Sequence, residues 1–163
     1  MQVYVKIITK DIKTNTPKEI KLHQKYIKSL KVMFDTPDNY MSKTENIDNK
    51  IEIIGVLDDD TREASYELFN WAIANTNDIT AYRRTEIRIL HNATELNDTL
   101  FRTIILPRAF VLDYSETFTP NGTINFTLKI RQKGEDVDKI EVSCEPNVFD
   151  LEAAGFQEST EGQ

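Results

Sequence analysis

The chain has 163 residues, the length of one ordinary domain, and its 39% hydrophobic content is enough for one core. A net charge of −7 argues against nucleic acid or an anionic membrane surface as the main partner, since both require a basic face. Cys144 is the single cysteine, which excludes an intramolecular disulfide and a cysteine-based metal cluster, and no apolar run approaches the ~20 residues of a membrane span.

Val3, Val5 and Ile7 alternate with Tyr4, Lys6 and Ile8, which predicts a strand at the N-terminus rather than the charged and apolar regions of a signal peptide. Residues 10–18 are polar, contain Asn15 and Pro17, and read as a turn. Residues 20–34 read as one long extended stretch with Leu30, Val32 and Phe34 on one face and lysines between them. Residues 35–49 are polar and carry Thr36-Pro37-Asp38-Asn39, an excursion of a length that is usually functional in a compact domain. Residues 51–57 form another strand, in which Gly55 signals a bulge or a close backbone approach.

A helix is predicted over residues 61–75. Asp60 or Thr61 is its cap, and Glu63 follows three residues after Asp60 as in a capping box. Ala64, Leu68, Trp71 and Ala72 fall at helical spacing, flanked by Phe69 and Ile73, so Leu68, Trp71 and Ala72 should pack on the sheet. Ile87, Ile89 and His91 alternate in a further strand, and residues 92–98 read as a turn. Three strand-like runs follow, over 100–106, 109–118 and 124–131, with Asn121-Gly122 as the turn between the last two. Their matched alternation predicts Phe110, Leu112 and Tyr114 across from Phe126, Leu128 and Ile130, or in one core with them. Ile140 and Val142 mark a last short strand. A β domain over 1–145 and an acidic C-terminal tail over 146–163 are the expected organisation.

Little in the sequence speaks for catalysis. His23 and His91 stand in no metal-ligand spacing, no glycine-rich phosphate loop is present, and no nucleophile–base pair is visible. Asp58-Asp59-Asp60 suits a helix N-terminus better than a cation site. Four Asn-x-Ser/Thr triplets, at Asn92, Asn97, Asn121 and Asn125, fit an Asn- and Thr-rich composition. Cys144 reads as a small buried or half-buried strand residue, and Trp71 as core. Arg83 and Arg84 read either as solvated loop charges or as a contact with an acidic neighbouring subunit. No catalytic residue, cofactor or metal is expected.

Particular stretches carry a resemblance. They are Phe34-Asp-Thr-Pro-Asp38, Ile51-Glu-Ile-Ile-Gly55, Leu68-Phe-Asn-Trp-Ala72, Pro107-Arg-Ala-Phe-Val-Leu-Asp-Tyr-Ser-Glu-Thr-Phe118 and Phe126-Thr-Leu-Lys-Ile-Arg-Gln-Lys133. In this order of strands, polar loop, helix and long strands, residues 1–143 resemble the tube proteins of contractile injection systems, which include the haemolysin-coregulated protein of type VI secretion and phage tail tube proteins. A closer likeness is to small clostridial-type proteins of tail-like gene clusters, some named membrane-associated protease, although no protease constellation stands here. The chain departs from the family in its acidic C-terminal tail and its lysine-rich 18–31 segment.

The resemblance implies a mainly β fold, an antiparallel β-barrel of tail-tube type with one α-helix packed on its side. It implies identical subunits in rings, commonly hexameric, that stack into a hollow tube inside a sheath. Partners are then other copies of the chain, with sheath, baseplate or spike proteins beside them. Assembly is expected in the cytoplasm, within a phage tail-like particle or exported with it. Asp35, Thr36, Pro37, Asp38, Asn39 and Tyr40, in the long excursion, together with Arg83 and Arg84, are the candidate oligomer contacts. An adaptor, baseplate or terminator component with the same fold is the alternative.

Overall fold

The computed structural model describes residues 1–10, 16–35, 48–91 and 99–144. Its strands are β1 (Gln2–Lys10), β2 (Pro17–Leu22), β3 (Ile27–Asp35), β4 (Asp48–Leu57), β5 (Arg83–His91), β6 (Thr99–Phe118), β7 (Ile124–Gln132) and β8 (Glu141–Ser143). Among the described residues there is one α-helix, α1, over Arg62–Ile73. All pairings are antiparallel, in the order β2-β1-β5-β6-β7-β4-β3, with β8 beside β6.

The long strand β6 joins the two halves of the barrel. Its first half pairs with β5 on one side and β8 on the other, and its second half pairs with β7. The sheet rolls until β3 comes back near β1. The concave face is lined by Val5, Ile7, Ile53, Ile87, Leu106, Phe126 and Leu128, and α1 adds Leu68 and Trp71 to the same core. Strict alternation in β4 and β7 gives this burial directly, since every second residue faces inward.

Several expectations are corrected. The stretch 20–34 is broken by a 3-10 turn over Gln24–Tyr26 that separates β2 from β3. Strands extend into the predicted 10–18 turn, because β1 reaches Lys10 and β2 begins at Pro17. Proline tolerates that first strand position, where its missing N–H costs least. The helix ends at Ile73, two residues earlier than expected, and Ala72 is only half buried. Its entry is capped one turn upstream, by a reciprocal pair in which Thr61 N–H donates to Asp58 Oδ1 (3.1 Å) and Asp58 N–H donates to Thr61 Oγ1 (2.8 Å). Cys144 is exposed, not buried.

The largest correction lies in β6. The runs 100–106 and 109–118 form one strand that passes through Pro107. Three irregularities each add a residue to β6: Phe101 against β5, the Pro107–Arg108 step against β5, and Leu112 against β7. A single extra residue reverses which side chains face the core. Inward residues therefore run Ile104 and Leu106, then Ala109 and Val111, then Tyr114. Tyr114 does face Leu128, but Ile130 faces Val111, Phe126 faces Glu116, and Leu112 is turned out to solvent. The step at Pro107 is held by Gln132, whose buried side-chain oxygen accepts from Arg108 N–H (3.1 Å) while its backbone N–H donates to Asn49 Oδ1 (2.7 Å).

Gly55 and Gly122 sit where side chains would be costly. A Cβ on Gly55 would stand 2.0 Å from the Tyr26 carbonyl oxygen and 2.6 Å from the Phe126 ring. Close packing is thus the reason for glycine there, and the bulge of the pair falls opposite it, between Ile27 and Ser29. Gly122 has φ +86° in the β6–β7 turn, the left-handed region that glycine occupies without strain.

Candidate assembly surfaces

The inner face of α1 is fixed by four interactions. Trp71 is 1% accessible and donates its indole N–H to the Ala81 carbonyl (2.8 Å). The Arg83 guanidinium lies over the Trp71 ring, 5.5 Å from its centre. It donates from Nε to the Thr80 carbonyl (3.1 Å) and stands 3.7 Å from the Glu67 carboxylate. Burial lowers the Arg83 pKa, and Glu67 and Asp78 oppose that shift. At the other end of the helix, Glu116 of β6 accepts from Ser65 Oγ (2.7 Å) and from the Tyr114 hydroxyl (2.5 Å). Burial and the neighbouring Glu116 carboxylate push the Tyr114 pKa well above the usual tyrosine range.

The outer face of the same helix is apolar as well. Tyr66, Phe69 and Ile73 are 66%, 51% and 67% accessible and lie on one line at three- and four-residue steps. Ile79, 67% accessible, is a further exposed apolar residue, in the turn after the helix. Exposed large apolar residues scattered singly are ordinary, whereas a row of three on one helix face is the kind of patch that marks a contact surface. Asp59, Asp60 and Glu63 are exposed around the N-terminal end of this stripe, with Arg62 among them.

A concave counterpart lies elsewhere on the barrel. Where β3 comes back near the start of β1, a groove of about 350 Å³ opens between them. Val3, Ile27, Leu30 and Ile89 line it, with Gln2, Gln24, Lys28 and Ser29 among the polar residues around them. Lys28 and Lys31 are exposed on this part of β3. Among the described residues no group of three His, Cys, Asp or Glu side chains is placed to hold a metal ion, and no helix is long and apolar enough to cross a membrane.

Solved structures share this architecture. Hcp1 from Flavobacterium johnsoniae superimposes with a TM-score of 0.52 at 13% identity, covering 92% of this chain and 99% of that one. An Hcp1 variant from the E. coli EAEC 042 pathovar gives 0.51 at 10% identity, over 89% and 99%. This chain has the Hcp fold. A chain of the anti-feeding prophage baseplate gives 0.51 at 12% identity, over 87% and 92%. No protein-family model and no curated protein sequence matches the chain.

Within this Hcp-type barrel the residues singled out from sequence fare differently. Asp35 ends β3 and is exposed, paired in register with Asp48 of β4. Thr36, Pro37, Asp38, Asn39 and Tyr40 lie outside the described residues. Arg83 is not a surface charge: its side chain is 4% accessible and is consumed by Trp71, Glu67 and Thr80 within the subunit. Arg84 faces the other way, partly exposed, and pairs with Glu86 (3.0 Å), which also holds Arg88 (3.1 Å). The outer stripe of α1 was not singled out from the sequence, where Phe69 and Ile73 stood only as flanks of the core face; the signal that finds it is the helical spacing of Tyr66, Phe69 and Ile73 on the side away from Leu68 and Trp71. The groove has no such signal, because it depends on where β3 meets β1.

Proposed function

We propose that this chain is a structural subunit that assembles into stacked rings, forming the inner tube of a phage tail-like or type VI-like contractile injection apparatus. The observation that carries this reading is the correspondence of fold with Hcp1 along nearly the whole of both chains. A ring of identical subunits also requires two unlike, complementary surfaces on each copy, and the apolar stripe and the groove offer a convex and a concave one. The role is structural rather than catalytic in this reading. Its partners are further copies of the chain, with sheath, baseplate and spike proteins at the outside and end of the tube. Assembly takes place in the cytoplasm, and the finished particle carries the tube out.

A baseplate component is the second reading, favoured by the fold shared with the anti-feeding prophage baseplate chain. Sedimentation velocity of the purified chain over a hundredfold concentration range tests the first reading. A discrete ring species, with longer stacks at high concentration, is expected. A single monomeric boundary throughout would overturn the reading in favour of the second.

A further inference from the structure

We propose that in the ring the outer stripe of α1 on one copy seats in the β1–β3 groove of the next. The inference rests on the ring-forming reading and names the two faces that make its lateral contact.

Shape comes first. The stripe is convex and presents Tyr66, Phe69 and Ile73 in one row. The groove has about 350 Å³ and an apolar lining of Val3, Ile27, Leu30 and Ile89. A cavity of roughly 150 Å³ takes a benzene ring, so this groove has room for Phe69 and one neighbour of the stripe together. An amphipathic helix laid into an apolar groove is a recurrent mode of recognition, read through anchors at such spacings.

Area follows. Half- to two-thirds-exposed side chains of this size leave on the order of 300–400 Å² of apolar surface in the stripe. A stable interface buries roughly 800 Å² per partner around an apolar centre with a polar rim. The stripe is thus the right size for the centre of such an interface.

Charge decides between pairings. Three exposed acids, Asp59, Asp60 and Glu63, border the stripe with one base, Arg62, among them, and exposed Lys28 lines the groove. Stripe against groove brings the acidic end of the stripe to Lys28. A two-fold dimer through the stripe would set acidic end against acidic end, and one through the groove Lys28 against Lys28. Head-to-tail pairing, the kind that a closed ring is built from, is therefore the favoured arrangement of this surface.

The test uses the full chain and two variants. Tyr66→Glu with Phe69→Glu disables the stripe, and Ser29→Trp fills the groove. All three positions are exposed, and circular dichroism with the thermal midpoint checks that each variant is folded. Phe69→Ser replaces the double variant if that one does not fold. Each variant alone should sediment as a monomer at concentrations where the wild-type chain forms rings. Mixed one to one at high concentration, they should give a dimer and nothing larger, since one intact stripe and one intact groove remain. Carbodiimide, which joins a carboxylate to an amine in contact, should link Glu63 to Lys28 within the dimer band. Wild-type rings together with variants that still form them, or a mixture that yields no dimer, would overturn this inference alone. A wild-type chain that stays monomeric would overturn the ring-forming reading and this inference with it.

Discussion

Replacing Trp71 by alanine removes the largest side chain fully enclosed in the core, together with the N–H that satisfies the Ala81 carbonyl. Truncating a buried aromatic costs roughly 3–5 kcal/mol, and a buried acceptor left without its donor adds about 1–3 kcal/mol where no water enters. The two overlap, and a total of about 4–6 kcal/mol is expected. For a domain whose whole stability is of order 5–15 kcal/mol this is a large fraction. At roughly 2–4 °C per kcal/mol for this chain length, the thermal midpoint should fall by about 10–20 °C. The assay is urea unfolding followed by far-UV circular dichroism at low protein concentration, because Trp71 is the only tryptophan and its fluorescence is lost with it. Trp71→Phe separates the contributions: it keeps most of the ring and loses only the hydrogen bond, so about 1–3 kcal/mol should go. A loss below ~1 kcal/mol for Trp71→Ala would show that α1 does not share the barrel core, contrary to the reasoning.

Gly55→Ala should cost about 1–3 kcal/mol, since the added carbon meets the backbone at Tyr26 and the Phe126 ring at once; an unchanged urea midpoint would mean β4 and the Gln24–Tyr26 turn are not in contact. Tyr114 keeps its proton in the folded state beyond pH ~10, where an unfolded tyrosine releases its own, so stability is full below about pH 10 and declines above it. Tyr114→Phe should therefore be less stable at pH 7 yet lose less on going to pH 11, and parallel pH profiles for the two proteins would refute the assignment. Deleting residues 38–47 should leave the barrel folded, because Asp35 and Asp48 already pair at the end of the β3–β4 ladder, while weakening the stacking of rings. Loss of the native circular dichroism signal, or tubes of unchanged length, would contradict it.

How much of this was legible in the sequence depends on how local each signal is. β4 and β7 follow strict alternation, and their burial follows the sequence pattern residue by residue. Leu68 and Trp71 face the core as their spacing implies. Period-two reading fails in β6 because its three irregularities are properties of pairing, not of the strand alone. Leu112 looks like a core residue until the register with β7 shows that it is the extra one. Pro107 looks like a break until Gln132, distant in sequence, supplies the acceptor for the next N–H.

The same distinction holds for the surfaces. The Arg83-Arg84 pair reads as two equal charges, and only the position of Trp71 and Glu67 turns one inward. The acidic run 58–60 proved to be helix entry, as expected, with Asp58 rather than Asp60 as the reciprocal cap. The groove has no linear signature, since Val3, Ile27, Leu30 and Ile89 are brought together only by the rolling of the sheet.

The central claim is that the chain builds rings that stack. Electron microscopy of the purified full chain, with class averages taken along and across the particle axis, tests it most directly. Closed rings with an open lumen, joined end to end into tubes of constant diameter, are the predicted result. A uniform field of compact single barrels at every concentration would contradict it.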